Sequence, residues 1–144
     1  MKLTYARGSL WLIVLLAPLV MGASECSSPE QTEIIRLVNE DRATRGLAAL
    51  KENPGLNVAA DEWAEQLATA GALSSSDLTA WCPKTARRCA ENVGSGASIA
   101  AVQTALMAKT ATRASVLLSP CADIGAGQHK RGTVHYVVQR FVCN

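Results

Sequence analysis

The residue types able to do chemistry in this 144-residue chain are few. There are two histidines, His129 and His135, and both lie near the C-terminus. One Glu-Asn pair, Glu91-Asn92, is followed by Val93 and Gly94 in a stretch rich in glycine and serine. Five cysteines follow: Cys26, Cys82, Cys89, Cys121 and Cys143. No Cys-x-x-Cys pair occurs and no Cys/His set has zinc-finger spacing, so metal binding by thiolates is not expected. Gly94-Ser95-Gly96 does not form the Gly-x-Ser-x-Gly elbow of a serine hydrolase. Cys26 could serve as a Cys–His nucleophile in principle. It sits next to the expected mature N-terminus, where an unpaired thiol or a bridge to a second chain is the simpler expectation. Glu91 carries two readings. Paired with His135 it would be a general acid/base couple. Alone, it would be a buried carboxylate accepting backbone hydrogen bonds and pinning an irregular loop, with Asn92 sharing that role.

The segment that precedes these residues places them outside the cell. Lys2 and Arg7 lead into the apolar run Leu10 to Val20, followed by the small residues Gly22, Ala23 and Ser24. This reads as a secretory signal peptide over residues 1–23, leaving a single domain over 24–144. Pro18 and the shortness of the run favour cleavage over an uncleaved anchor. Glu25 before Cys26 argues against lipid attachment. Nothing approaches the 18 or more apolar residues of a membrane span. Removing Lys2 and Arg7 leaves 12 basic and 12 acidic residues. A net charge of zero gives no reason to expect a nucleic-acid partner. The charge is unevenly placed, about −6 over residues 24–81 and +6 over 82–144, and we expect the two halves to pack with opposed fields.

In an exported domain cysteines form disulfides. Cys82 and Cys89 flank the short polar loop Pro83 to Arg88. If Lys130 to Thr133 is a hairpin turn, Cys121 and Cys143 fall almost opposite each other. The expected bridges are therefore Cys82–Cys89 and Cys121–Cys143, with Cys26 left over. Lys84, Arg87 and Arg88 in the first loop could hold an anionic partner, or simply be solvated.

Several elements must position these groups. Ser28-Pro29-Glu30-Gln31 is a capping box with proline at the first helical position, opening a helix that Gly46 ends. Asn53-Pro54 starts a second, with Leu56, Ala60, Trp63 and Leu67 at helical spacing and Gly71 as its stop. Residues 72–97 read as irregular. Ser98 caps a third helix, and a helical turn covers Arg113 to Leu118. Asp123 to Lys130 and Thr133 to Val142 read as two closing strands, the second putting His135 on one face with Val137, Gln139 and Phe141. Helices first and an antiparallel sheet later indicate an α+β fold.

The segments together resemble the CAP superfamily, also called the SCP domain. Val38, Asn39, Arg42, Gly46, Leu47 and Leu50 match the Val-Asn-x-x-Arg-x-x-x-Gly-Leu-x-x-Leu start of its bacterial branch. Glu91-Asn92-Val93 is similar to its Glu-Asn-hydrophobic motif. Arg113 to Leu117 resembles its His-Arg-x-Asn-Ile-Leu segment, and Ile124 to Gly127 with Val138 to Phe141 resemble its final hairpin. The resemblance covers about residues 30–142 and implies a three-layer α–β–α sandwich with a central cleft, in which many members place two histidines and acidic residues and some bind a divalent metal. This chain departs from that pattern. Ser75 stands for the first histidine and Thr112 for the second. Leu106 and Lys109 replace the usual Trp and Ser that precede the latter, and Glu91 remains. Neutral hydroxyls are poor zinc ligands, and Lys109 adds positive charge nearby. The resemblance thus implies a degenerate cleft with no metal and no cofactor. The expected function is a secreted, non-catalytic domain binding a small molecule, lipid or cell-surface partner, with a possible dimer through Cys26. The alternative is a divergent, peptidase-like hydrolase using Glu91, helped by His135 or by the hydroxyl of Ser75 or Thr112.

Overall fold

The structure, a computed structural model, describes residues 26–144; the expected signal peptide, residues 1–23, lies outside them. Helix α1 (Pro29–Ala43) opens on the Ser28 capping box, with the Ser28 hydroxyl accepting from Gln31 N and the Gln31 side chain accepting from Ser28 N. A two-residue strand β1 (Lys51–Glu52) leads to α2 (Pro54–Ala70), capped by Asn53 and closed by Gly71 at φ 67°. After a short turn of helix at Leu78–Ala80 come β2 (Arg88–Gly96), α3 (Ile99–Ala108) and α4 (Thr110–Val116). The chain ends in the hairpin β3 (Asp123–Arg131) and β4 (Val134–Cys143).

The strands form one sheet in the order β1-β3-β4-β2, with β1 parallel to β3 and the other pairs antiparallel. Two expectations are corrected here. The sheet is mixed, because β1 pairs beside β3 in parallel. The segment 72–97 is not irregular throughout, because β2 pairs with β4 over nine residues, from Arg88 opposite Cys143 to Gly96 opposite His135. Its Asn-Val-Gly-Ser-Gly sequence has little strand preference of its own; pairing with the β-branched run of β4 imposes the conformation. The hairpin closes over Gly132-Thr133, with Gly132 at φ 60° in the first central position as a tight II′-type turn requires.

Side chains alternate across the sheet. On one face Val137, Phe141, Ile124 and Ala126 meet Ile34, Val38, Val102, Leu106 and Val116 of α1, α3 and α4. On the other, Tyr136 and Val138 meet Ala60, Ala64 and Leu67 of α2. This is a three-layer α–β–α sandwich. Helix α2 lies directly on β3 because two glycines make room. A Cβ on Gly125 would stand 2.3 Å from Leu56 Cβ, and one on Gly127 would stand 2.2 Å from the Ala60 carbonyl carbon. Beyond the short β1, α2 also covers the free edge of β3. Asn57 Oδ1 accepts from Ala126 N at 2.9 Å and Asp61 Oδ1 from Gln128 N at 3.1 Å, so residues one helical turn apart satisfy donors that an edge strand leaves open.

Two residues of the first helix act as staples. Asn39 donates to Leu50 O and accepts from Leu50 N, as a strand neighbour would. Arg42, only 1% exposed, donates to the carbonyls of Ala48, Val116 and Leu118 at 2.8–2.9 Å. Burial holds its pKa below the usual arginine value. The sulfurs of Cys82 and Cys89, and those of Cys121 and Cys143, are bonded, while Cys26 is free and exposed. From loop length alone, the bridges stabilise by about 2 and 3 kcal/mol respectively.

Candidate functional site

Glu91 lies on the α2 face of β2, and register sets it opposite Arg140 of β4. Its side chain and that of Arg140 are 3% and 4% exposed. Arg140 Nε donates to Glu91 Oε2 at 2.9 Å. Ser76, in the loop after α2, completes the arrangement: its N–H donates to Glu91 Oε1 at 2.8 Å and its hydroxyl to Glu91 Oε2. Arg140 Nη2 and the Trp81 indole N–H both donate to the Ser76 hydroxyl, at 3.0 and 3.1 Å. The guanidinium carbon sits 4.7 Å from the centre of the Trp81 ring, a cation–π contact. Both oxygens of Glu91 are therefore engaged, and its charge is matched by a buried cation.

This cluster forms one wall of a groove of about 300 Å³ between α2 and the Trp81 turn, lined by Glu62, Trp63, Gln66, Asp77, Trp81 and Arg140. The Trp63 indole N–H donates to Ser74 O at 3.0 Å. Hydrogen bonds from the Thr79 hydroxyl and backbone hold the Asp77 carboxyl below the usual carboxylate range. A hollow on the outer side of α2, beside Gln66 and Thr69, is larger at about 490 Å³. It has no aromatic ring and no buried polar group, so the Trp81 groove is the better candidate site.

Residues 35–144 match the CAP family, described as the cysteine-rich secretory protein family. The chain belongs to this family. Solved CAP-fold structures agree. Venom allergen-like protein 4 of Schistosoma mansoni superposes with a TM-score of 0.70 at 15% identity, over 81% of this chain and 90% of that one. An outer surface protein of Borrelia burgdorferi gives 0.70 at 16% identity, over 83% and 96%. A cysteine-rich secretory protein of Staphylococcus aureus gives 0.66 at 22% identity, over 84% of this chain but 41% of the larger relative. At these identities the likeness concerns the fold. No curated protein matches the chain significantly in sequence.

The positions expected from the CAP resemblance do not converge on one point. Ser75 is exposed and makes no hydrogen bond among the described residues; its neighbour Ser76 is the one that reaches Glu91. Thr112 turns its hydroxyl to the carbonyls of Leu106 and Lys109 and offers its own carbonyl to Asn92 Nδ2 at 2.9 Å. Asn92 thus ties β2 to α4 from the sheet face opposite Glu91, and its Oδ1 is buried without a partner among the described residues. Lys109 is exposed at the α3–α4 junction and forms no ion pair among them. His135 lies opposite Gly96, on the face away from Glu91 and about 17 Å along β4 from Arg140 at strand rise. Its Nδ1 meets Gln128 at 3.1 Å, and burial and Lys130 lower its pKa. His135 and Glu91 therefore form no pair. His129 pairs instead with Asp61 at 3.1 Å, near the hairpin.

The family's divalent ion does not suit these side chains. The only carboxylate at the cleft position has both oxygens occupied, and Arg140 places a fixed positive charge 2.9 Å away. Among the described residues no group of three His, Cys, Asp or Glu is placed to share an ion. Ser76, Trp81 and Arg140 were not identified from the sequence. One signal was available: Arg140, next to Gln139, lies between the apolar residues Val137, Val138, Phe141 and Val142, and a charge buried there requires a partner. Glu91 and Asp123 are the only acids after residue 81.

Proposed function

We propose that this CAP domain is exported by residues 1–23 and acts outside the cell as a binding domain rather than an enzyme, with the Trp81 groove as its ligand site. The observation that carries this reading is the closed set of contacts around Glu91. A general base must reach a substrate proton, and here the Glu91 carboxylate is 3% exposed, with Ser76 and Arg140 hydrogen-bonded to its two oxygens. The CAP family is described as secretory, and two disulfides fit an oxidising compartment. Among the described residues no helix is long and apolar enough to cross a membrane. Cys26, outside both bridges, is available to join two chains.

The test is a panel of peptide and ester substrates assayed with the exported chain and with Glu91→Gln, the fold of each checked by circular dichroism. The expected result is no turnover that depends on Glu91. Turnover abolished in a folded Glu91→Gln protein would establish the hydrolase alternative instead.

A further inference from the structure

We propose that the Trp81 groove takes a neutral sugar ring bearing a hydrogen-bond acceptor such as an acetamido carbonyl, a ligand class that rests on the binding-domain reading above. Three observations converge on it.

The first is a donor held ready. Arg140 is 96% buried as a side chain and lines the groove. Its Nε and Nη2 are used by Glu91 and Ser76, while Nη1 has no partner among the described residues. Nor is Nη1 fully buried, since the one fully buried, unpartnered side-chain oxygen or nitrogen among them is Asn92 Oδ1, and Arg140 lines the groove. Nη1 is thus a rigid N–H donor whose orientation is fixed before any ligand arrives, which reduces the ordering cost of binding.

The second is the aromatic wall. Both indole N–H groups are consumed internally, by Ser74 O and the Ser76 hydroxyl. What Trp63 and Trp81 offer the groove is therefore ring carbon, suited to the C–H face of a sugar rather than to a polar edge. Their neighbours Glu62 and Gln66, exposed on α2 one turn apart, supply a carboxylate and an amide for hydroxyl groups.

The third is charge. The Arg140 charge is offset by Glu91 at 2.9 Å, and Glu62 and Asp77 then leave the groove net negative. An anionic ligand is repelled, so the free donor is matched to a neutral acceptor. The volume, about 300 Å³, lies at the small end of the roughly 300–1,000 Å³ of small-molecule sites and fits a unit of one or two rings.

The probe is N,N′-diacetylchitobiose, titrated into the exported chain while tryptophan fluorescence is followed. Cellobiose, which lacks the acetamido group, and an O-sulfated form of the probe are run beside it. The proposal expects saturation in the range of about 1 mM or tighter, with cellobiose at least ~5-fold weaker and the sulfated sugar no tighter than the neutral one. Trp81→Ala should weaken binding ~10-fold or more. Gln66→Ala, on an exposed helix face where folding is not at stake, should weaken it ~3- to 10-fold, and His135→Gln should leave it unchanged. The proposal is overturned by any of three results: no saturable change up to about 20 mM, affinity unaltered in Gln66→Ala, or tighter binding of the sulfated sugar. Failure here, alongside an absence of Glu91-dependent turnover, removes the sugar and leaves the binding-domain reading standing. Glu91-dependent turnover removes that reading itself.

Discussion

Arg140 and Glu91 face each other with almost no access to water, and each is costly to bury alone. The energetic consequence is asymmetric. Glu91→Gln leaves a buried guanidinium without its counter-charge and should lower unfolding free energy by about 3–5 kcal/mol, read from the urea midpoint. Replacing both residues by apolar ones, as in Glu91→Leu with Arg140→Met, should recover most of that loss, because no unpaired charge remains. A single-variant loss below about 1 kcal/mol would show that the pair is far better solvated than its burial indicates. His135 carries a separate, pH-linked prediction. Burial and the charge of Lys130 lower its pKa from the ordinary value near 6.5, with Glu30 opposing weakly. The unfolded chain then binds the proton more readily than the folded one. Stability should be full above about pH 6.5 and fall as the pH drops through the lowered value. His135→Gln should flatten that part of a melting-temperature profile; an unchanged slope would contradict the assignment.

At the scale of elements, helices were more legible than strands. Ser28, Asn53 and Ser98 each sit where a side-chain oxygen caps the following turn, and capping is a local signal readable within four residues. The strand β2 is the opposite case. Its residues are partly glycine, serine and asparagine, and its conformation comes from nine pairings with β4 some forty to fifty-five positions away. The site inherits that problem. Glu91 was legible by its family motif, but its partner Arg140 is 49 positions distant and follows from register alone. Ser76 enters only because the loop after α2 folds back over the sheet. The helix–sheet contact offers the sharpest test at this scale. Gly127→Ala would drive a methyl group into the Ala60–Asp61 backbone, 2.2 Å from the nearest atom. The helix must then lift from β3, also straining the Asn57 and Asp61 bonds to its edge. The expected loss is about 3 kcal/mol or more, at or beyond the upper end for overpacking, measured by denaturant unfolding. A loss under ~1 kcal/mol would mean that α2 rides higher on the sheet than described.

For the whole molecule, the expected cancellation of charge between the two halves is not made by arginine–carboxylate pairs. Arg36 pairs with Glu33 and Glu40, Arg45 with Asp41, and Arg140 with Glu91, each within its own half. Among the described residues only the His129–Asp61 contact joins the halves, and it is an ion pair only when His129 is protonated. Lys84, Arg87 and Arg88 have no carboxylate partner among those residues. The CAP sandwich itself is held by two apolar layers, the Arg42 and Asn39 staples and two disulfides. None of these depends on a metal, and the counter-charge of Glu91 is Arg140. The most direct measurement of that pairing is zinc uptake by the purified exported chain and its Glu91→Gln variant, from equilibrium dialysis with metal analysis. The expectation is that any zinc retained is weak and equal in the two proteins, since exposed acids on α1 and α2 are common to both. One equivalent of zinc held by the parent chain and lost in Glu91→Gln would contradict the account.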